Sequence, residues 1–497
     1  MRSYRMITAY SFQKMGLGND NKMCWKIPDD LKRFKEKTSE VFLYGDVPVV
    51  IMGRKTWESL PSNSLPKLKN RLNIVITNNK ELHLTSGGFG TLFCSFDALN
   101  STLDTFENDY LKPYSKLQTP YIIGGGQLYK LALQSLDIER IDVTEVYLST
   151  KCDAFFPEDL MQSLKFGISD ISTFYNFGDV YYRYIKFTKH PYQNRDYWRN
   201  TEEVAYLYIM KEITSSSIEL PRTDRTGVGT HSIFGQHLTY DLSDTFPIST
   251  TRKMFLRGIF EELMMYLRGQ TNNKILNDKG INVWDGNTTR EFLDARGLTH
   301  YNAGDMGSTY GFNFRHFGAQ YNGCDADYTG KGCDQLQDVI TLLKTDPESR
   351  RIIINLWNPE ANKGAALPSC LCMYQFYVRK NEYGNFLLDL QIYIRSSDYF
   401  LANNWNTCTG ALFVHLLCSL NGLTHLTPGK LSVCMGDAHV YTFHKEQVII
   451  QLSRDPYPFP KLVVETTKDN IEDFEFSDLK LFGYKHYPGI SGARMAV

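Results

Sequence analysis

The sequence predicts an α/β domain followed by a larger α+β domain, and three observations carry that reading. The chain has 497 residues, and at roughly 100–200 residues per domain two or three domains are expected. Short strand-like runs alternate with helical stretches up to about residue 188, while longer helical periodicities and separate strand-like runs dominate beyond residue 201. Between Thr188 and Thr201 the segment Lys189-His190-Pro191-Tyr192-Gln193-Asn194-Arg195-Asp196 breaks the apolar patterning. This assigns 1–189 to the first domain, 190–200 to a junction and 201–497 to the second.

The elements follow in order. An opening strand at 6–10 precedes a helix start at 28–34; strands at 49–52 and 121–123 each lead into a helix, at 56–60 and 127–136; further strands are expected at 73–77, 141–147 and 180–187. In the second domain helices are expected at 204–214 and 256–268, and strands at 351–357, 373–379 and 387–394.

Composition removes several functional classes. Hydrophobic residues make up 42% and charged residues 22%, far from the signature of disorder. Lys plus Arg (54) against Asp plus Glu (55) leaves a net charge of -1, so nucleic acid is not indicated and any anion must be met by a local cluster. No apolar run approaches the roughly 18 residues of a membrane span. Met6-Ile7-Thr8-Ala9-Tyr10 is too short for a secretory h-region. Ten cysteines without a framework imply reduced thiols and a cytoplasmic location. Neither Cys324/Cys333 nor Cys370/Cys372 has zinc-knuckle spacing, so no metal is expected.

Three features of the first domain point to a site. Gly124-Gly125-Gly126 joins a strand to a helix, the arrangement that brings backbone N–H groups close to a phosphate, although a tight turn is equally compatible. It is neither a dinucleotide fingerprint nor a P-loop. Gly53 leads into Arg54-Lys55-Thr56-Trp57-Glu58-Ser59, which puts two cations at a helix N-terminus where the macrodipole disfavours them; an anionic ligand, or plain solvation, resolves the conflict. Thr77-Asn78 offers polar contacts at the edge of the same site. In Pro28-Asp29-Asp30-Leu31 one Asp suffices as N-cap, and Asp30, four residues before Phe34, is directed into an apolar cleft. A carboxylate there needs donors, and its pKa should rise.

With these residues assembled, 1–189 resembles dihydrofolate reductase. The shared features are the opening strand with Ala9, Gly16-Leu17-Gly18, Trp25 with Pro28-Asp29-Asp30-Leu31, Met52 to Ser59, Arg71 with Asn73, the triglycine followed by Tyr129, Val143-Thr144 and Phe155-Phe156-Pro157. The resemblance implies a central mixed sheet flanked by helices, with Asp30 holding the pterin and promoting protonation at N5, and Thr144 bracing it. Arg71 would bind the α-carboxylate of the folate tail, and Ile7, Leu31, Phe34, Thr56, Leu60 and Ile123 would line the cleft. NADPH would be held by Ala9, Leu17, Gly18, Gly53, Arg54, Lys55, Thr56, Thr77, Asn78, Gly124, Gly125, Gly126, Gln127, Leu128 and Tyr129, with a cis peptide at Gly124-Gly125. Cys24 stands where the family often has proline.

The second domain carries three arginine segments: Arg222 to Thr230, Ser349-Arg350-Arg351, and Arg395-Ser396. In a chain without excess positive charge they suggest a phosphate dianion site, with structural salt bridges as the alternative. Adjacent strand residues face opposite sides, so Arg350 and Arg351 would need a strand terminus or a subunit boundary to share a ligand. Cys370 lies between a turn and a strand, and neighbouring cations would favour its thiolate.

From about 201 to 497 the chain is similar to thymidylate synthase. The resemblance implies that Cys370 attacks C6 of dUMP and that 5,10-methylenetetrahydrofolate is the co-substrate. Arg225, Arg395 and Ser396 would bind the phosphate, with Arg350 and Arg351 supplied by the other subunit of a homodimer. Asn406 would read the uracil ring, His439 and Tyr441 the ribose, and Asp398 the pterin as well as the nucleotide site. Glu262 would organise proton transfers, and Trp284, Asn287 and Tyr310 match further cleft positions. Met495-Ala496-Val497 resembles the closing tail. Departures from the family are Ser369 and Leu371 flanking the thiol, Phe400-Leu401-Ala402-Asn403-Asn404-Trp405 before Asn406, and Ile394 and Phe314. The fused order resembles the bifunctional enzymes of protozoa, apicomplexan-like given the short junction. An active reductase joined to a weakened, dimerising, nucleotide-binding synthase-like domain is the alternative.

Overall fold

The computed structural model describes residues 2–12, 14–40, 46–60, 67–79, 90–111, 115–164, 166–189, 200–215, 221–223 and 227–494. The chain divides into two compact units, Met1–Trp198 and Arg199–Val497. Most of the junction, Arg225 and Met495 to Val497 lie outside the described residues.

The first unit is built on one mixed sheet. Its strands are β1 (Ser3–Ser11), β2 (Gly16–Gly18), β3 (Val49–Gly53), β4 (Leu72–Ile76), β5 (Thr91–Cys94), β6 (Tyr121–Ile122), β7 (Asp137–Tyr147), β8 (Ala154–Phe155), β9 (Gly167–Ile171), β10 (Tyr175–Phe177) and β11 (Val180–Thr188). The main path runs β10-β11-β7-β1-β6-β3-β4-β5. β1 lies parallel to β6 and β7, and β11 antiparallel to β7, so the expected mixed sheet is present. Helices α1 (Pro28–Ser39), α2 (Arg54–Ser59), α3 (Leu99–Tyr110), α4 (Gly126–Ser135) and α5 (Glu158–Ser163) accompany it. The central strands are buried on both faces, which is why β3 reads as an unbroken apolar run.

The start of α1 departs from the sequence reading. Pro28 occupies the first helical position, where its missing N–H costs nothing, so Ile27 is the N-cap and no side chain caps the helix. Asp29 and Asp30 sit in the first turn instead, stabilised by the dipole and free to meet other partners.

The second unit contains α6 (Thr201–Ser215), α7 (Leu256–Leu267), α8 (Lys274–Asn277), α9 (Arg290–Ala295), α10 (Tyr310–Arg315), α11 (Gln335–Thr345), α12 (Asn403–Cys418) and α13 (Lys445–Leu452). Its strands are β12 (Thr230–Asp241), β13 (Ile353–Asn355), β14 (Leu371–Lys380), β15 (Phe386–Asp398), β16 (Leu426–Tyr441), β17 (Lys461–Val464) and β18 (Leu479–Phe482). A sheet in the order β12-β16-β15-β14-β13 forms the α+β framework, and α12 is buried almost throughout its length. The strand expected at 351–357 is shorter: the turn closed by Ser349 N–H on Asp346 O leaves Arg350 and Arg351 ahead of β13, exposed. Among the described residues no helix is long and apolar enough to cross a membrane. None of the ten cysteines is in a disulfide.

Glu203 ties α6 to the segment that carries Arg252. Its buried carboxylate accepts from Ser249 Oγ (2.7 Å), Thr250 Oγ1 (2.6 Å), Thr251 Oγ1 (2.8 Å) and the Thr250 and Thr251 N–H groups, both at 2.9 Å. Glu203→Ala removes the acceptor these donors share and leaves the buried Thr250 and Thr251 N–H groups unsatisfied, and we expect a loss of about 3 kcal/mol or more from the second unit. Native-state hydrogen exchange across α6 measures it, as a fall in protection of roughly a hundredfold.

Candidate active sites

The first site is assembled on one row of the mixed sheet. Ala9 on β1 pairs with Thr144 on β7, and Thr144 pairs with Tyr184 on β11, so their side chains share a face. Asp30 stands over this row and accepts from Thr144 Oγ1 at 2.6 Å. Burial pushes its carboxyl upward, and the Thr144 hydrogen bond and the Arg33 charge pull it back. Asp29 accepts from the Tyr182 hydroxyl at 3.2 Å, so the two aspartates have different duties.

Ile7 belongs to a small buried cluster with Val50, Met52, Val75 and Tyr121, against which Phe34, Leu60 and Ile123 pack half-buried. Leu31 is 47% exposed on the same helix, an apolar surface left open beside Asp30. Arg71 donates to Thr38 Oγ1 (2.5 Å) and Lys69 O (3.2 Å), and its guanidinium lies 5.9 Å from the Phe34 ring centroid. Burial lowers its pKa, a cost that an incoming carboxylate offsets.

The glycines form a cradle. Gly124-Gly125 is a cis peptide, and Gly53 N–H donates to Gly124 O at 2.8 Å, joining the two strand-to-helix junctions. A Cβ on Gly126 would sit 2.7 Å from Phe155 O, so no side chain fits there. Neither α2 nor α4 has a side-chain cap, which leaves first-turn N–H groups pointing outward. This fits a phosphate-bearing cofactor such as NADPH. Arg54 pairs with Glu58 at 2.8 Å, so an intrahelical ion pair already offsets part of the dipole conflict. Thr77 is buried beyond β4 and Asn78 exposed. Leu128 and Tyr129 are buried in the core; the Tyr129 ring packs against Gly124, donating its hydroxyl to Ile7 O (2.7 Å), and its N–H donates to Gly125 O (3.0 Å). The apolar face of α4 claims them.

The second site collects at the C-terminal ends of β15 and β16. These strands are parallel, with Ser396 opposite Asp437 and Asp398 opposite His439. Cys370, half-buried just before β14, is fixed from two sides. Its N–H donates to the Tyr310 hydroxyl at 2.8 Å, and its carbonyl accepts from Arg395 N–H at 2.9 Å. The Arg395 side chain donates to Ser369 O (3.0 Å) and Pro368 O (3.1 Å) and comes within 3.9 Å of Cys370 Sγ. A cation is thus held against the thiol. Ser369 and Leu371 are both buried.

Glu262 on α7 accepts from Trp284 Nε1 (2.8 Å) and Trp405 Nε1 (2.7 Å). Burial raises its pKa; hydrogen bonds from Trp405, Trp284 and Tyr266 oppose the rise. Tyr266 stacks on Tyr310 at 4.9 Å, and Trp284 meets Tyr310 edge-on at 6.1 Å, so the carboxyl and the thiol share one aromatic wall. Asn287 is buried nearby with an Nδ2 that has no hydrogen-bond partner among the described residues. Asp398 accepts Leu401 N–H at 3.0 Å, and burial raises its pKa. His439 contacts Asp437 at 3.2 Å and meets Tyr441 edge-on at 5.4 Å. Asn406 sits half-buried in the first turn of α12. Arg350 and Arg351 have no hydrogen-bond or ion-pair partner among the described residues of their own chain.

Two participants escaped sequence reasoning. Trp405 was visible only as part of an unusual loop, and its position beside Asn406 was the available signal. Arg33 lies three residues after Asp30 on α1, spacing that places both on neighbouring positions of one face. The unusual loop itself is well anchored: Asn404 accepts from Ser249 N–H and donates to Pro247 O, both at 2.9 Å.

Comparison with known proteins agrees with this division. The dihydrofolate reductase family model matches residues 4–171, and the thymidylate synthase family model matches 204–497. The bifunctional dihydrofolate reductase-thymidylate synthase of Zea mays is 35% identical, covering 100% of this chain and 97% of the relative. That of Paramecium tetraurelia is 35% identical over 100% of this chain and 99% of its own length. The Leishmania major protein of the same name is 35% identical over 99% and 94%.

Arg395→Leu is expected to slow alkylation of Cys370 by iodoacetamide about tenfold near neutral pH, because the cation that favours sulfur anion is gone. Peptide mass spectrometry reads the rate. Cys372 and Cys408, whose thiols burial pushes up, should stay unmodified in both proteins.

Proposed function

We propose a residue-level reading of both sites from one premise: the chain belongs to the bifunctional dihydrofolate reductase-thymidylate synthase family. It reduces dihydrofolate to tetrahydrofolate with NADPH, and it converts dUMP to dTMP with 5,10-methylenetetrahydrofolate. Because the relatives carry both names across their whole length, an inert synthase-like scaffold is not favoured.

In the first site the observation that carries the reading is the buried Asp30 with Thr144 as its donor. Asp30 receives the pterin ring N–H groups and supplies the proton that N5 takes up. Arg71 binds the α-carboxylate, and Ile7, Leu31, Phe34, Leu60 and Ile123 enclose the rings. The first-turn N–H groups of α2 and α4, with Arg54, Lys55, Thr77 and Asn78, hold the phosphates of NADPH, which supplies the hydride. Leu128 and Tyr129 support this cradle through the core.

In the second site Cys370 Sγ forms a bond to C6 of dUMP, the ring electron pair moves to the O4 enolate, and C5 takes up the methylene group. Loss of the C5 proton lets the methylene–nitrogen bond to the folate break, and hydride from the tetrahydrofolate so released turns the methylene into a methyl, yielding dihydrofolate as the C6–S bond breaks and the thiolate leaves. Glu262, raised by burial, relays the protons. Arg395, Ser396 and Arg225 take the phosphate, Asn406 the uracil, His439 and Tyr441 the ribose, and Asp398, Trp284 and Asn287 the folate.

The phosphate site is completed by Arg350 and Arg351 of a second copy, in a homodimer formed by the outer face of the β12–β16 sheet. Supporting this, Met373, Tyr393, Cys434 and His237 pair across that sheet, and Tyr393, Tyr377 and Phe234 are exposed. The short junction supports the narrower apicomplexan-like placement, and the unpaired thiols a cytoplasmic location.

Asp30→Asn should remove dihydrofolate-dependent NADPH oxidation by at least about a hundredfold while leaving synthase turnover intact. Retained oxidation refutes the role of Asp30. Cys370→Ala should abolish the covalent adduct with 5-fluoro-dUMP and folate. Mixed and re-equilibrated with Arg350→Leu/Arg351→Leu, it should regain about a quarter of wild-type synthase activity, since half the dimers then carry one intact site. No recovery means that the arginines act within their own subunit.

A further inference from the structure

We propose that Arg33 is a positioning residue of the reductase site: it fixes the direction of the Thr144 hydroxyl and holds positive charge beside Asp30, and so governs how far Asp30 keeps its proton as pH rises. The proposal rests on the reading of Asp30 as the acid of that site.

The geometry is specific. Arg33 Nη1 donates to Thr144 Oγ1 at 3.4 Å, Nη2 lies 3.8 Å from Asp142 Oδ1, and the guanidinium sits 4.3 Å from the Tyr184 ring centroid. These contacts come from β7 and β11, two residues apart along β7 and one step across the sheet. A guanidinium has five donors and no acceptor, so Thr144 Oγ1 accepts from Arg33. Its single proton is thereby committed to Asp30, 2.6 Å away. Without Arg33 the hydroxyl is free to turn and Asp30 loses its assured donor.

Asp142 is the anchor that keeps Arg33 in place. Its Oδ2 is taken by Arg140 Nε (2.8 Å) and the Tyr121 hydroxyl (3.4 Å), while the buried Oδ1 has no hydrogen bond and faces Arg33. A buried carboxylate oxygen in that state is held by charge alone. The titratable and charged groups around Asp30 are Arg33 on its own helix, Tyr184 on β11 and, beyond Arg33, Asp142 and Arg140 on β7; Asp29 turns to Tyr182. Arg33 is the cation among them that lowers the Asp30 carboxyl against the upward pull of burial.

The sign follows. The acid acts protonated, so activity falls as pH rises through the Asp30 pKa. Removing the cation lets that pKa rise, and the basic limb moves to higher pH.

The test is the pH profile of single-turnover hydride transfer at saturating NADPH and dihydrofolate, on the full chain. Arg33→Met should move the basic limb upward by about half a pH unit to one unit and raise KM for dihydrofolate severalfold. Arg33→Lys, which keeps the charge and loses the fork, should return the limb to within about 0.3 units of wild type. If Arg33→Met does not fold, Arg33→Gln, a donor without charge, should show the same upward move. A limb that stays put in the neutral variants overturns the proposal, whatever their overall rate. Asp30→Asn distinguishes the two failures: if it keeps the wild-type rate and limb, the assignment of Asp30 fails, and if it is inactive while the neutral Arg33 variants keep the limb, only the role of Arg33 fails.

Discussion

A carboxylate removed from water costs several kcal/mol unless donors replace the solvent, and both sites are organised around that demand. Asp30, Glu262 and Asp398 are all pushed upward by burial, and each is held by hydrogen bonds from neutral groups: a threonine hydroxyl, two indoles, a backbone N–H. Neutral donors oppose that upward push without adding a charge. A bidentate arginine would fix the carboxyl as an anion. Glu203 shows the structural use of the same solution, with three hydroxyls gathered on one carboxylate.

Sheet register converts that local requirement into a site. The pairing of Ala9, Thr144 and Tyr184 places a donor under Asp30 and an aromatic face under Arg33 in one row. A slip of one residue in β7 would send Thr144 to the opposite face and bring Val143 or Glu145 beneath the carboxyl, neither of which can donate a hydroxyl. In the second unit the parallel pairing of β15 with β16 sets Ser396, Asp398, His439 and Tyr441 at one end of the sheet. Cys370 is delivered there because its carbonyl closes the ladder with Arg395.

What was legible in the sequence was local. The two strand-glycine-helix junctions, the apolar face of α1 carrying Asp30, and the arginine segments each announce themselves within about ten residues, the range over which periodicity and turn chemistry operate. The N-cap reading failed within that range because Pro28 competes for the first helical position and wins. The shortened β13 has the same origin, since the turn after Asp346 takes Arg350 and Arg351 out of the strand. Trp405 donating to Glu262, 143 residues away, and Arg33 reaching Asp142 depend on contacts that no local pattern encodes. The resemblance supplied roles for Asp30 and Cys370. It offered none for Arg33 or Trp405.

The two sites differ in how much one chain can supply. Around Asp30 the charged groups Arg33 and Arg140 both pair with Asp142 within the first unit. Around Cys370 the thiol, the carboxyl and the aromatic wall are complete, whereas the dianion of a nucleotide would meet Arg395 already engaged by two carbonyls. Arg350 and Arg351 meanwhile are exposed, with no partner among the described residues of their own chain. A net charge of -1 gives no diffuse field to make up the difference. On the arginine sharing proposed above, the synthase half is the half whose activity depends on assembly. Because the synthase product dihydrofolate is the substrate of the reductase, covalent fusion places the two activities in a fixed ratio.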